Sequence, residues 1–216
     1  MIAKSPAPPT LILIGDSAES DSFIYLGIKL LLEGRLSVDA YCQYLRYGGV
    51  SSAEAAEIRS RYCNNVQGKV AAILIRELPG KKLRLTAPLT DPLVPFENFF
   101  EMTLWLVCKG MMAAANSRQM ARHFHNRYGM TLEKIISQVV AGQAWMPETG
   151  VAAELGKLSN ELEVLIEKLS RKGRPHIDPL APHLTWKLTD QTSFAKMSEV
   201  ELLAAAEKWW SHSRQK

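Results

Sequence analysis

The sequence predicts a mainly α protein, a helical bundle with one or two short strands. Apolar residues recur at helical spacing through most of the chain, as in Phe23, Leu26, Leu30 and Leu31. Helix-start signals precede those runs: Ser51 with Glu54, and Ser198 with Glu201, both read as capping boxes. Strand character is confined to short stretches, chiefly Leu11–Ile14 and the alternating KLRLTA of Lys82–Ala87.

Taken in order, residues 1–10 form a flexible Pro-rich tail. Leu11–Ile14 is a short strand. A helix covers Asp21 to Glu33 and stops at Gly34. Ser37 caps a second helix through Tyr47, ended by Gly48-Gly49. The helix that starts at the Ser51 box runs to about Gln67. Val70–Ile75 is β-branched and aliphatic, which fits either a strand or a continued helix, and Pro79-Gly80 is a turn. These pieces make an N-terminal helical region, 11–80.

The segment TAPLTDPLVP reads as a linker, and its Pro95 suits the first turn of the next helix. Residues 81–216 then hold a central helical hairpin and C-terminal helices, packed with 11–80 as one compact domain. The hairpin spans Phe96 to about Ala141. Its first arm, PFENFFEMTLWLVCKGMMAAA, is apolar almost all round, and its second opens with SRQMARHFHNRYG. Gly129 ends the basic arm and Thr131 caps Leu132–Val140.

From Val151 to Leu169 the apolar positions Val151, Leu155, Leu158, Leu162, Leu165 and Leu169 fall in heptad steps. A core helix of a bundle is the favoured reading, with a two-chain seam as the alternative. Glu167 and Arg171 add an i,i+4 pair. HIDPLAPHLTW is punctuated by prolines and irregular. The last helix carries Leu202, Leu203, Ala206, Trp209 and Trp210.

The chain has 216 residues with 47% apolar content, enough for a real core. A net charge of +4 permits nucleic-acid contact without arguing for it. Three widely spaced cysteines, Cys42, Cys63 and Cys108, fit free thiols in a reducing compartment. None of the five histidines stands at metal-ligand spacing to them, so no metal and no cofactor is expected. The N-terminus lacks the pattern of a signal peptide, and no apolar run reaches the about 18 residues that a membrane span needs. The expectation is a cytoplasmic protein without membrane insertion; monomer and homodimer stay equally open.

Leu11-Ile-Leu-Ile-Gly15-Asp16-Ser17 is the most enzyme-like string, similar to the first block of GDS-type serine esterases. Such a serine needs a His base and an orienting carboxylate. The nearest pair, Asp178 and His183, has the wrong spacing. Gly48-Gly49-Val50-Ser51 permits a helix-turn-helix, but Glu54 and Glu57 would then face phosphates beside Arg59 and Arg61, so a plain helical hairpin is favoured. KLRLTA followed by two helices permits a ribbon-helix-helix, with Lys82 and Arg84 facing out.

Between Ser117 and Tyr128, Arg118, Arg122 and His125 share one helix face, opposite an apolar stripe of Met120, Ala121, Phe124 and Tyr128. His123 and Arg127 fall between the two and could pair with glutamates of neighbouring helices. Adjacent Trp209 and Trp210 cannot share one face, so either one docks in the core and the other, taken as Trp210, is an exposed interface anchor, or both pack partly under the Pro-rich loop around Pro182. The candidate partner-binding residues are therefore Arg118, Arg122, His125 and Trp210. No catalytic residue is assigned.

Phe99 through Arg127-Tyr128-Gly129, followed by Glu148-Thr149-Gly150-Val151, resembles a family of integrating conjugative elements and plasmids that includes AcaB-like transcriptional activators. Ala152-Ala153-Glu154 stands where that family carries a basic residue. In size and character the chain also resembles plasmid fertility-inhibition proteins of the FipA type. That resemblance implies a non-enzymatic plasmid protein that blocks conjugative transfer of a co-resident plasmid. It would bind the coupling-protein ATPase of the rival type IV secretion system. The alternatives are a DNA-binding regulator of a mobile element and a GDS-type esterase.

Overall fold

The computed structural model describes residues 10–18, 20–62, 67–80, 89, 92–143, 150–170 and 192–213. In chain order the elements are β1 (Thr10–Asp16), α1 (Asp21–Leu32), α2 (Val38–Tyr47), α3 (Ser52–Tyr62), β2 (Lys69–Arg76), β3 (Leu93–Phe96), α4 (Phe99–Cys108), α5 (Ala115–Tyr128), α6 (Leu132–Gln143), α7 (Gly150–Ser170), α8 (Thr192–Lys196) and α9 (Glu199–Ser213). The protein is mainly α with a small three-stranded sheet. The chain divides into two compact units, one of residues 1–95 with 187–216 and the other of residues 96–186.

In the first unit β1 and β2 run parallel, which requires a crossover, and α1, α2 and α3 supply it. The register pairs Leu11 with Val70 and Leu13 with Ile73, with a one-residue irregularity between Leu11 and Ile12. The sheet order is β1-β2-β3, so β1 is an edge strand and β2 is central. Ala72, Ile73, Leu74 and Ile75 are all buried, as befits a run covered on both faces. This settles Val70–Ile75 as a strand.

Phe23, Leu26 and Leu30 of α1 form the unit's core with Tyr41, Tyr44 and Leu45 of α2, Ile73 and Ile75 of β2, and Leu202 and Ala206 of α9. The caps that hold these helices are local. Ser37 Oγ accepts from the Ala40 amide at 3.2 Å. Ser51 and Glu54 complete their box at 3.2 and 2.9 Å, and Ser198 and Glu201 theirs at 3.4 and 2.7 Å. Arg35 ties α1's end to α8, donating to the carbonyls of Phe194 and Met197 at 2.7 and 3.0 Å and lying over the Phe194 ring.

In the second unit α6 is the central helix, buried on almost every side. Its Leu132, Ile135, Ile136 and Val139 pack with Phe100 and Leu104 of α4, Ala121 and Phe124 of α5, and Leu155, Leu158 and Leu162 of α7. The heptad positions of α7 that are described thus serve the unit's own core, in keeping with a bundle helix.

Several boundaries differ from expectation. The third helix ends at Tyr62 and does not reach Gln67; Gln67 and Gly68 lead into β2. Pro95 lies in β3, and α4 starts only after Asn98. Asn98 Oδ1 accepts from the Glu101 amide at 3.0 Å, while Glu101 reaches back to the Glu97 amide at 2.8 Å. That reciprocal cap is a stronger start signal than the proline. The first hairpin arm stops at Cys108, because Gly110 turns left-handed at φ 67°. The tail's residues 1–9, the strand at Lys82–Ala87 with Lys82 and Arg84, the Glu167–Arg171 pair and the HIDPLAPHLTW segment lie outside the described residues.

Candidate functional site

Helix α5 carries the basic face. It contains no Asp or Glu in its fourteen residues, and three arginines and two histidines. Its C-terminus closes on Gly129, left-handed at φ 65°, with the Met130 amide returning to the Phe124 carbonyl at 3.2 Å.

The three face residues differ in their commitments. Arg118 is half-exposed and pairs with Glu161 of α7 at 2.8 Å. His125 is partly buried, and its Nδ1 donates to the Met130 carbonyl at 2.9 Å. That bond fixes the ring against the helix end and leaves Nε2 for an outside group. Arg122 is exposed, with no ion-pair partner among the described residues. Arg127 is likewise exposed, and among the described residues it forms no ion pair with a glutamate of a neighbouring helix. His123 instead lies edge-on to Tyr128, with ring centroids 5.5 Å apart.

The apolar stripe opposite is shorter than expected. Ala121 and Phe124 are buried, but Tyr128 is 70% exposed. It sits in the last turn, where the helix runs past the core, and among the described residues its ring meets Phe124 and His123. His123, Arg127 and Tyr128 thus extend the exposed surface beyond the expected three residues. The helical spacing could not separate Tyr128 from the core stripe.

Trp210 is placed otherwise than expected. Both Trp209 and Trp210 are half-buried in the first unit, each with its ring centroid 5.0 Å from that of Phe23. The large Phe23 ring lies between positions that two adjacent helix residues can both reach, so neither indole is a free anchor.

Each residue of Gly15-Asp16-Ser17 has a structural task. A Cβ at Gly15 would stand 2.3 Å from Asp21 Oδ2, so glycine lets that carboxylate reach the β1 backbone. Asp21 Oδ2 there accepts from the Asp16 amide at 3.0 Å. Asp16 Oδ1 accepts from the Ala18 amide at 2.8 Å, forming an Asx turn. Ser17 Oγ accepts from the Leu78 amide at 3.0 Å. Asp178 and His183 lie outside the described residues.

The α2–α3 hairpin has spent most of its charges. Arg59 pairs with Asp39 at 2.8 Å and Arg61 with Glu57 at 2.5 Å, while Glu54 is held in its cap. Beside them a shallow groove of about 560 Å³ is lined by Asp39, Gln43, Arg46, Tyr47 and Arg59. No group of three or more His, Cys, Asp or Glu among the described residues could hold a metal ion. No helix among them is long and apolar enough to cross a membrane. Comparison with protein-family models, with curated proteins and with solved structures gives no match to this chain.

Proposed function

We propose that this chain is a non-enzymatic interaction protein that inhibits conjugative transfer of a co-resident plasmid by binding the coupling-protein ATPase of its type IV secretion system. The observation that carries the binding part is the electrostatic character of α5. Fourteen residues without a carboxylate present Arg122 and Arg127 to solvent, unpaired among the described residues. Arg118 and an oriented His125 flank them. Such a surface favours an acidic partner by complementarity. The partner's identity rests on the resemblance to fertility-inhibition proteins.

The test is capture of the purified cytosolic domain of a coupling protein, with mating efficiency as a second readout. Reversing the charge of Arg118 and Arg122 together should abolish capture and restore transfer. Undiminished capture by that variant would remove the surface from the proposal.

The same absence of carboxylates suits a second reading, phosphate contact by a DNA-binding regulator. Binding would then weaken steeply with salt. Failure to retain duplex DNA at low salt would eliminate that reading.

A further inference from the structure

Strand β1 is the outer strand of its sheet, with β2 on one side and no strand on the other among the described residues. Its lateral groups alternate between the two sides. The Ser17 amide, just past the strand, turns inward to the Arg76 carbonyl at 2.9 Å. The even-numbered positions turn outward, because two of them are met there by α1. Tyr25 Oη donates to the Ile14 carbonyl at 3.1 Å, and Asp21 accepts from the Asp16 amide. Alternation carries the outward direction to Thr10 and Ile12. Side chains of α1 therefore close the upper end of the edge, and no described residue pairs with its lower end.

The side chains on that part of the strand match. Leu11 and Leu13 pack on the core, while Ile12 and Ile14 are 39% and 44% exposed on the other face. From Thr10 to Gly15 the strand has no charge, no proline and no lysine, the usual devices that keep an edge from pairing.

We propose that two copies of this chain associate by antiparallel pairing of β1 with β1, centred on Ile12. A twofold axis at Ile12 sets Ile12 opposite its own copy and Thr10 opposite Ile14. All three residues direct their main-chain groups to the open edge, so the pairing satisfies donors and acceptors in both chains at once. It also brings the exposed Ile12 and Ile14 side chains of one copy against those of the other. The Ile14 carbonyl has a second lone pair beside the Tyr25 hydroxyl and can accept the new bond without releasing the old one. The strand is thereby its own complementary partner. The interface leaves the basic face of α5 out of account and stands or falls separately from the function proposed above.

Sedimentation equilibrium and residue-resolved amide exchange test it on the full chain. The wild type should show twice the 24.1 kDa chain mass. Ile12→Lys places charge at the axis, and Ile12→Pro removes an N–H that points away from β2; each should halve the mass while far-UV circular dichroism stays unchanged. Val200→Lys, a change at a 75% exposed position on α9, should leave the dimer intact. Exchange at Thr10, Ile12 and Ile14 should slow as concentration rises. A wild type monomeric up to its solubility limit overturns the proposal. So does a dimer that survives Ile12→Lys, or one whose β1 amides exchange independently of concentration. Should Ile12→Pro fail to fold, Ile12→Lys decides.

Discussion

The ring of Tyr44 rests against the Cα of Gly27, close enough that a Cβ at position 27 would stand 2.6 Å from Tyr44 Cε1. The same ring stacks on Phe23 at 4.1 Å between centroids, and its hydroxyl donates to the Phe23 carbonyl at 2.6 Å. Alanine in place of a mid-helix glycine ordinarily stabilises by about 1 kcal/mol. Here Gly27→Ala forces either α1 or the Tyr44 ring to move, and should destabilise by about 1–3 kcal/mol. Tyr44→Phe keeps the ring and loses only the hydroxyl, and should cost about 1 kcal/mol. Urea unfolding of the two variants checks both values. A stabilised Gly27→Ala would contradict the close approach.

The Arg118–Glu161 pair joins two half-exposed side chains at 2.8 Å. Such pairs contribute about 0–1 kcal/mol. Glu161→Gln should therefore leave the unfolding midpoint nearly unchanged. It frees the Arg118 guanidinium, however, and on the proposed function it should strengthen partner capture, whereas Arg122→Glu should weaken it. A double-mutant cycle in stability and a parallel binding titration separate the two effects.

Acid should loosen α3 and α9 at their starts. The Ser51 hydroxyl and then its amide hold the Glu54 carboxyl below its ordinary value of 4.5. The Ser198 amide and then its hydroxyl do the same for Glu201. A carboxylate whose pKa is lower folded than unfolded adds stability above the unfolded value. That contribution fades as pH falls through the ordinary carboxylate range and is gone below the folded value. Thermal unfolding followed across that range should show a smaller acid loss for Glu201→Gln than for the wild type. Parallel curves would count against the cap as a pH-dependent element.

Cys108 should be a slow thiol. Burial pushes its pKa from 9.0 up to about 11, against a smaller opposing pull from Lys109. At mildly alkaline pH its thiolate fraction is then about a hundredfold below that of an unperturbed cysteine, and the thiolate is the reactive form. Alkylation followed peptide by peptide in a mass spectrometer should label Cys108 at a correspondingly lower rate. Labelling at the rate of a free model thiol would contradict the burial.

What could be read from the residues alone was mostly short-range. Ser37, the Ser51–Glu54 and Ser198–Glu201 boxes and Gly129 act on amides and carbonyls within a turn of themselves, and all stand where expected. The pairing of Leu13 with Ile73 joins strands separated by three helices, and nothing local marks it. Gly15-Asp16-Ser17 looked like chemistry because the contact that explains it, the Asp21 carboxylate over Gly15, belongs to the next helix. Helical spacing placed Phe124 and Tyr128 on one stripe, but only the packed α6 and α7 determine where that stripe runs out. Trp210 was misplaced for a similar reason, since Phe23, the ring that receives it, lies at the other end of the chain.

That last contact bears on how the protein is made. Phe23, Leu26 and Leu30 belong to a core that also requires Leu202 and Ala206. A ribosome delivers α1 early and α9 last. The helices α4, α5, α6 and α7 of the second unit are synthesised in between. A nascent chain therefore carries an incomplete N-terminal core throughout most of translation, its apolar side awaiting α9.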